Sequence, residues 1–473
     1  MLGDLKSGLC ITIVCLAASA GCLRYSPRPL DPPRLERQYK SRDLSDPALR
    51  AFAEANANPK PLAWPPPSWD LNSLTLVAYY YSPEIAAARA RYESARAAVL
   101  TARGKLNPSV SLGGGWTNSP ESPLVLRFQP AITLETAGKR GYRILEAERQ
   151  AEVSRLEASE TAWKVRSAVR AAMLDHLLAT AEVELLADEL ILRSSAVRIL
   201  EQRLAAGEAS RPELDLVRSE QASVEIATKN AEGRAMESKA QLAAAMGLPV
   251  TALQPIRLDT APLQTPPSGV SLDAAQQAGL LNRPDVRRSL AEYAVAEAAL
   301  QLEVAKQYPD VSLTPGYDFD EGHHKFTLGP ELAIPLFNRN RGPIAQAEAR
   351  RTQAAAQFLA VQARAIGDIE QARERYAAAL AELNAAGAQV RFVRERREAP
   401  ATRAVAAGEF DRLALTEAKL ATSLAERGRL EAFRRALTAL AAMEDAMAAG
   451  LPSLDPTAAA GPPAPGSPKK EQP

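Results

Sequence analysis

The stretch NPSVSL at residues 107–112 is repeated as YPDVSL at residues 308–313, 201 positions further along the chain. SPEI at residues 82–85 is repeated as RPDV at residues 283–286 with the same offset. A period near 200 residues is much longer than that of a solenoid repeat. We therefore interpret the chain as one structural unit that was duplicated and fused, so that each chain contributes two copies of it.

The two copies stay aligned beyond these stretches. PAITL at residues 130–134 matches PELAI at 330–334 after the loss of one residue, and AAGE at 205–208 matches AAGE at 406–409. Proline-rich segments precede, separate and follow the copies, and the first of them is predicted to be extended. The predicted domains are a signal peptide (1–21), a Pro-rich N-terminal strap (22–70), a first repeat (71–246), a linker (247–270), a second repeat (271–450) and a disordered tail (451–473).

The N-terminus predicts export from the cytoplasm. Lys6 precedes an apolar run at residues 9–18 that is too short to span a bilayer and is typical of a signal peptide. Two cleavage positions fit. SAGC at residues 19–22 resembles the lipobox of a bacterial lipoprotein, which would make Cys22 the lipidated first residue, whereas ASA at 18–20 is an ordinary cleavage site. We favour lipidation because no cysteine follows Cys22.

Composition indicates long packed helices and excludes one class of partner. Only 5% of the residues are aromatic, and long stretches consist mainly of Ala, Leu, Glu, Arg and Gln. The formal net charge is +1 with acidic and basic residues interspersed, so there is no basic surface for a nucleic acid. No apolar run after the signal peptide is long enough for a transmembrane helix.

Four short segments alternate apolar and polar residues with the period of a β-strand. Residues 325–334 place Phe326 and Leu328 on one face and Thr327 and Glu331 on the other. Strands of about ten residues with one apolar face fit the wall of a membrane barrel, although half-buried hairpins of a soluble protein have the same period. The residues predicted to face lipid are Phe128, Ile132, Leu134, Phe326, Leu328, Leu332 and Ile334.

The remainder of each repeat is predicted to be helical. Residues 139–206 contain no proline and would form a rod of about 100 Å. Residues 343–407 repeat this feature, but Pro400 should kink or restart the helix near its end. Each rod is followed by a glycine turn and a returning helix, residues 212–246 and 412–447, with Ser210 and Asp411 as N-caps.

The sequence contains little chemistry that would indicate an enzyme. There are three histidines, and the pair His323 and His324 in a predicted hairpin loop beside Asp318, Asp320 and Glu321 is too small a basis for a metal site. Gly138-Lys139-Arg140 lacks the spacing of a phosphate-binding loop, and no nucleophile elbow is present. We predict no catalytic residues, no resident metal and no cofactor.

The order of these elements resembles the TolC-like outer-membrane efflux channel family. Within the second repeat, NRPDV at 282–286 and IPLFNRNRG at 334–342 are similar to stretches of that family. In the first repeat, LETAGKR at 134–140 is similar to a strand-to-helix junction of its heavy-metal cation branch, and RLAAG at 203–207 resembles its helical-tip turn. The resemblance covers roughly residues 70–450.

The resemblance implies a mainly α-helical fold with a small β part. Three chains would pool four strands each into a 12-stranded β-barrel that continues as a periplasmic α-barrel. It implies a passive duct that is driven by an inner-membrane pump through a periplasmic adaptor protein. Arg203, Gly207 and Gly408 would contact the adaptor, and Asp215, Asp411 and Glu417 are candidates for the acids of a periplasmic aperture.

Two questions stay open at the level of sequence. A lipid-anchored periplasmic scaffold or adaptor without a pore is the alternative to a duct, and the four amphipathic strands favour the duct because a scaffold has no use for lipid-facing residues. The junction at residues 138–140 favours metal cations as cargo, although no cluster of His, Cys or Met supports metal binding. The predicted location is the outer membrane with an extension into the periplasm.

Overall fold

The computed structural model describes residues 25–56, 64–118, 124–254, 256–259, 282–320, 322–408 and 411–448. Cys22, the signal peptide and the C-terminal tail lie outside the described residues, as does most of the linker between the repeats. Among the described residues, none of the helices combines the length and the hydropathy that crossing a bilayer requires.

The N-terminal segment is partly helical, so the prediction that it is extended is wrong. Helix α1 spans Pro32–Lys40 and belongs to a unit of its own that ends at Arg42. Helix α2 spans Pro47–Asn56 and belongs to the main unit. Both helices begin at a proline, whose fixed φ angle and missing N–H are tolerated in the first helical turn. Proline therefore starts these helices rather than excluding them.

Beyond the first helix of the first repeat, the two repeats share the order of one helix, two strands, a long helix and a returning helix, and in the second repeat a π-helical segment interrupts the long helix. The first consists of α3 (Leu71–Tyr81), α4 (Pro83–Arg103), β1 (Ser109–Trp116), β2 (Leu124–Leu134), α5 (Lys139–Ala205) and α6 (Arg211–Met246). A 3-10 turn at Val250–Leu253 follows. The second consists of α7 (Pro284–Ala305), β3 (Val311–Asp320), β4 (His323–Leu332), α8 (Arg341–Val393), a π-helical segment (Arg394–Glu398), α9 (Ala399–Ala406) and α10 (Arg412–Met447).

The boundaries of the long helices agree with the sequence prediction. α5 begins at Lys139 and runs unbroken for 67 residues, and both returning helices are 36 residues long. The predicted interruption near Pro400 is confirmed, because the π-helical segment ends two residues before it. The structure is therefore mostly helical with a small antiparallel sheet, as the sequence predicts.

The four strands form one antiparallel sheet in the order β1-β2-β3-β4. The central pair β2 and β3 joins the two repeats, with Leu134 opposite Val311 and Phe128 opposite Tyr317. The sheet thus joins the two copies by hydrogen bonds between β2 and β3. Within the described ranges, β1 and β4 each pair along one edge only.

Helix α5 is the axis of the helical part. Along its first half it packs against α4 and α7, and along its second half against α6 and α10. Ion pairs mark these contacts: Arg103 to Glu148 at 2.8 Å, Arg288 to Glu160 at 3.0 Å and Arg434 to Asp175 at 3.2 Å. α8 packs against α7 and α10.

The largest core lies around α3. Leu74 and Val77 of α3 pack with Val169 of α5 and with Leu242 and Met246 of α6, and all five are fully buried. Burial of this apolar surface stabilises the point where the helices of the first repeat meet, which separates the sheet at one end of α5 from the helical tips at the other.

Candidate functional site

The turn that ends α5 forms the first helical tip. Gly207 has a φ angle of +76° in the left-handed region, where a residue with a Cβ is strained. Nothing lies within 4 Å of the position that a Cβ would take, so the backbone angle and not space requires glycine. Ser210 then starts α6 with a reciprocal capping box: the Glu213 N–H donates to Ser210 Oγ, and the Ser210 N–H donates to Glu213 Oε2 at 2.8 Å. The hydrogen bonds with Ser210 favour the charged carboxylate and are the main reason why the pKa of Glu213 is lowered.

The second tip has the same backbone turn and a different cap. Gly408 has a φ angle of +77° and also faces open space. Asp411 occupies the N-cap position of α10, as predicted, but its side chain makes no capping hydrogen bond. Its carboxylate instead accepts a hydrogen bond from the guanidinium of Arg203 on α5.

The two tips are therefore linked inside one chain. Beside the ion pair of Arg203 and Asp411, Leu413 of α10 packs against an apolar cluster of the first hairpin that includes Leu200, Leu204 and Leu214. The sequence assigned Arg203 to an adaptor and Asp411 to an aperture, and the structure brings these two side chains together.

The other two candidate acids lie in separate grooves. Asp215 lines a groove of about 400 Å³ between α5 and α6, together with Glu201, Arg211 and Arg218. Glu417 lines a groove of about 390 Å³ on the second hairpin, between α10 and the region of the π-helical segment and α9. Both residues are exposed, and each lines a groove of a different hairpin.

A buried ionic network between the hairpins has no signal in the sequence. Glu189 on α5 is only 1% exposed and accepts a hydrogen bond from Arg427 of α10 at 3.0 Å. Arg193 lies 3.9 Å from Glu189 and is also paired with Glu220 of α6. The network thus joins α5 to α10 at Glu189 and to α6 at Arg193. Helical periodicity alone does not distinguish Glu189 from a solvated surface charge.

The register of the sheet places the apolar residues of all four strands on one face. Val110, Pro130, Leu313 and Leu332 mark this face near the helices, and Trp116 marks it near the opposite end. The complete face consists of Val110, Leu112, Gly114, Trp116, Leu124, Leu126, Phe128, Pro130, Ile132, Leu134, Val311, Leu313, Pro315, Tyr317, Phe319, His324, Phe326, Leu328, Pro330 and Leu332. Several of its large side chains are open to solvent in the single chain, Phe326 by 81% and Leu328 by 73%.

The opposite face is polar. Arg127 donates to Asp318 across β2 and β3 at 3.0 Å, and the hydroxyls of Thr133 and Ser312 are 3.0 Å apart. Lys325 is paired with Asp320 at 3.0 Å. A sheet with one apolar and one hydrogen-bonded polar face suits a boundary between an apolar medium and water.

Six of the seven predicted lipid-facing residues lie on the apolar face, and Ile334 does not belong to a strand. β4 ends at Leu332, two residues before Ile334, which is 68% exposed. The chain has left the sheet there because it approaches the junction with α8, and Ile334 accepts a backbone hydrogen bond from the N–H of Leu336. The alternation of apolar and polar residues continues in the sequence to Ile334, beyond the end of the strand, so the alternation alone placed Ile334 in β4.

The segment Gly138-Lys139-Arg140 builds the junction between β2 and α5. Gly138 has a φ angle of +74°, and Lys139 is buried against Asp310, with Nζ 2.7 Å from Oδ1. Arg140 donates to the carbonyl oxygen of Arg103, and Arg143 donates to that of Ala102, so both cations cap the end of α4. These residues have a structural role that explains the motif without a bound metal.

The sequence placed the histidine pair in a hairpin loop, and this prediction is wrong because the pair begins β4. His323 faces the polar side and His324 the apolar side, where its Nδ1 is 2.7 Å from the hydroxyl of Tyr317. In the described part of the chain there is no group of three or more His, Cys, Asp or Glu side chains that could hold a metal ion.

The family model described as "Outer membrane efflux protein" matches residues 78–248 and 275–449. The chain belongs to this family. The two matched ranges follow the two copies of the repeat, and outer membrane efflux channels are not enzymes. Membership places this efflux protein in the outer membrane.

Individual proteins are similar to this chain at low sequence identity, one by sequence and two by structure. The cobalt-zinc-cadmium resistance protein CzcC of Cupriavidus metallidurans is 26% identical over 280 residues, which are 58% of this chain and 65% of that protein. The structure of the outer membrane protein VceC of Vibrio cholerae superposes with a TM-score of 0.65 at 21% identity, over 80% of this chain and 95% of the other. The outer membrane channel CmeC of Campylobacter jejuni gives a TM-score of 0.62 at 15% identity, over 90% of each chain.

Proposed function

We propose that this efflux protein is the outer-membrane exit duct of a tripartite efflux system. In this role it passively conducts substrate from an inner-membrane pump and a periplasmic adaptor across the periplasm and the outer membrane. The observation that carries the proposal is the sheet with one apolar face, joined directly to a helix of 67 residues. The sheet provides a wall in lipid, and the helix, about 100 Å long, provides reach into the periplasm.

A single chain supplies too few strands for a pore. Four strands cannot close, since membrane barrels need about eight strands or more. Three chains that pair β1 of one with β4 of the next give twelve strands and leave no free edge. The helical part supports the same arrangement, because α8 exposes apolar residues such as Leu359 and Phe392 that a neighbouring chain would cover.

The helical tips are the proposed contact with the adaptor. Gly207 and Gly408 expose the backbone of both turns, and Arg203 lies one turn before the first. Because Arg203 is engaged by Asp411, an adaptor that binds Arg203 would compete with a contact between the tips. Asp215 and Glu417 remain the candidates for aperture acids, and Asp411 is better assigned to the link between the tips.

Lipid anchoring and cargo are further parts of the proposal. Lipidation of Cys22 would add an acyl anchor to the barrel, and mass spectrometry of the mature N-terminus of the wild type and of Cys22→Ala tests it. We propose metal cations as cargo because one relative is named as a cobalt-zinc-cadmium resistance protein. Loss of resistance to cobalt, zinc and cadmium salts after deletion of the gene is the corresponding test.

The duct is tested by a pair of substitutions at neighbouring residues on opposite faces of β2. Phe128→Arg places a charge on the apolar face, where a buried cation costs about 2–4 kcal/mol at the bilayer midplane. Gln129→Arg places the same charge on the polar face. We expect Phe128→Arg to lose heat-modifiable oligomers from the outer-membrane fraction and Gln129→Arg to retain them. We also expect purified Gln129→Arg to conduct ions in planar bilayers.

Equal tolerance of both substitutions would contradict the assignment of the faces. Outer-membrane oligomers of the wild type without conductance would contradict the duct itself. Recovery of the wild type in the soluble periplasmic fraction would favour the alternative, a scaffold or adaptor without a pore.

A further inference from the structure

The second long helix contains one residue more than the first between matched positions. Glu148 and the tip residue Gly207 are 59 positions apart, whereas their counterparts Glu348 and Gly408 are 60 positions apart. The returning helices α6 and α10 are equal at 36 residues each. The extra residue therefore lies between Glu348 and the second tip and not in the returning helix.

The structure absorbs this residue in the π-helical segment Arg394–Glu398, after which regular α-helix resumes. A π-helical turn is wider than an α-helical turn, and such turns within α-helices are frequent at functional positions. Pro400 follows and has no N–H to donate to the carbonyl four residues before it. In the first repeat Ile199 is the residue that lies eight positions before the tip glycine, as Pro400 does, and α5 is continuous there.

Side-chain contacts fix the neighbouring helices at the level of this segment. Arg394 donates to Glu426 of α10 at 2.9 Å, and Thr422 of α10 donates to Glu398 at 2.7 Å. The residue after Glu426 is Arg427, the partner of the buried Glu189 on α5. Loss of Arg427 would strand a buried charge, so this layer resists separation of α10 from α5.

α10 has a flexible point at the same level. Gly428 follows Arg427 within α10, and nothing lies within 4 Å of the position of a Cβ. Glycine in the interior of a helix costs about 1 kcal/mol relative to alanine and loosens it. Because Gly428 lies on the side of Arg427 away from the tip, it does not free the first turns of α10, and the weak point of the second hairpin on the tip side is the π-helical segment of α8–α9.

Contacts of the second tip beyond this layer are weaker. The groove of about 390 Å³ between α9 and α10 is lined in part by small residues, among them Ala401, Ala404 and Ala418. The described link to the first tip consists of the ion pair of Arg203 and Asp411 and the packing of Leu413. The side chains of the pair are 32% and 40% exposed, so the pair contributes at most about 1 kcal/mol.

We propose that the π-helical segment Arg394–Glu398 is a hinge about which α9 and the first turns of α10 move against the first tip, while the layer of Glu189 and Arg427 stays in place. The inserted residue gives this freedom to the second hairpin alone. The purpose of the movement, to change the width of the periplasmic end of the duct, rests on the proposed function, whereas the movement itself does not.

Hydrogen–deuterium exchange of the unaltered protein in detergent tests local opening. Peptides that cover residues 391–402 are compared with the matched residues 190–201 of α5 in the same molecule. We expect exchange at least about tenfold faster in the second hairpin, because the π-helical segment and Pro400 weaken its hydrogen bonding. Equal protection of the two segments would overturn the hinge.

Distances between spin labels test whether the tip moves. One pair, Glu208→Cys with Arg412→Cys, reports on the tips, and a second pair, Glu184→Cys with Thr438→Cys, reports on α5 and α10 nearer the core around α3. We expect a broad distance distribution for the tips and a narrow one for the second pair. Deletion of Arg396 together with Pro400→Ala restores the spacing of the first repeat and should narrow the tip distribution.

Two outcomes would overturn the assignment. An unchanged tip distribution in the deletion variant would contradict the role of the extra residue, as would narrowing by Pro400→Ala alone, which keeps that residue. If the deletion variant does not fold, the exchange experiment on the unaltered chain still decides. Conductance of the same preparations tests the duct separately, so a protein with mobile tips and no conductance would contradict the proposed function and not the hinge.

Discussion

The long helices of the two repeats arose from the same unit and are held in different ways. α5 is unbroken over 67 residues and packs against α4, α6, α7 and α10. α8 ends after 53 residues, packs mainly against α7 and α10, and five of its nine buried residues are alanines. Duplication preserved the order of elements, and the two copies then took different positions in one chain: the long helix of the first became the axis, and that of the second keeps exposed apolar residues such as Leu359 and Phe392.

The contact between α5 and α10 gives the largest expected effect. Arg427→Ala should destabilise the protein by about 3 kcal/mol, at the lower end for a stranded buried charge, because Arg193 remains 3.9 Å from Glu189. Thermal melting of the purified protein measures the loss. The residues that match Glu189 and Arg427 in the other repeat are Gln389 and Ile226, which carry no charge. The ion pair is therefore specific to the contact between α5 and α10.

Two variants sharpen the result for Arg427. Arg218→Ala breaks an exposed pair with Glu201 between α5 and α6 and should cost less than about 1 kcal/mol. Glu189→Gln in the Arg427→Ala background removes the stranded charge and should restore part of the loss. A melting temperature of Arg427→Ala equal to that of Arg218→Ala would show that Glu189 is hydrated and not buried.

The strand-to-helix junctions give the next effect. The first repeat uses Gly138 at a φ angle of +74°, and the second uses Asn340 at +59°, whose amide donates to the Glu303 carbonyl at 2.7 Å. Gly138→Ala should cost about 1–2 kcal/mol, because a Cβ is strained in the left-handed region. Gly141→Ala, three residues later in open space inside α5, should be neutral or stabilise by up to about 1 kcal/mol. Opposite shifts in melting temperature are expected, and a shift of the same sign would contradict the cause.

Local signals in the sequence predicted the helix ends and strands, because these features depend on the backbone of a single segment. The ends of α5 and the start of α6 follow from Gly207 and Ser210, and the amphipathic strands follow from their period. Contacts between distant segments were not predictable: Asp411 has the sequence of an N-cap, yet Arg203 of the other hairpin takes its carboxylate. Pro32 has two interpretations, a break or a helix start, and only packing and hydrogen bonding decide between them.

The caps of the returning helices differ in strength between the tips. Ser210→Ala removes the capping box of α6 and should cost about 1 kcal/mol, with faster amide exchange confined to the first turn of α6. Asp411→Ala removes no capping hydrogen bond and should leave exchange at the start of α10 unchanged while it releases Arg203. Faster exchange at the start of α10 in Asp411→Ala would show that the carboxylate also caps the helix.

The smallest expected effect is the dependence of stability on pH that His176 of the first repeat contributes. His176 of α5 has its Nδ1 3.1 Å from the hydroxyl of Ser238, and burial, with a further effect of the Lys239 charge, lowers its pKa. The corresponding residue of the second repeat is Tyr376, which packs with Met443 and Met447.

Because the folded state disfavours the protonated imidazole of His176, the unfolded chain binds the proton more tightly. This stabilisation is complete above the unfolded pKa of about 6.5 and is lost as the pH falls through the folded pKa. The ring is only partly buried, so solvent screening limits the effect to less than about 1 kcal/mol. We expect the melting temperature of the wild type to fall slightly between pH 7.5 and pH 5, and His176→Tyr to flatten this dependence by making the first repeat resemble the second. An unchanged slope in His176→Tyr would assign the dependence to other groups.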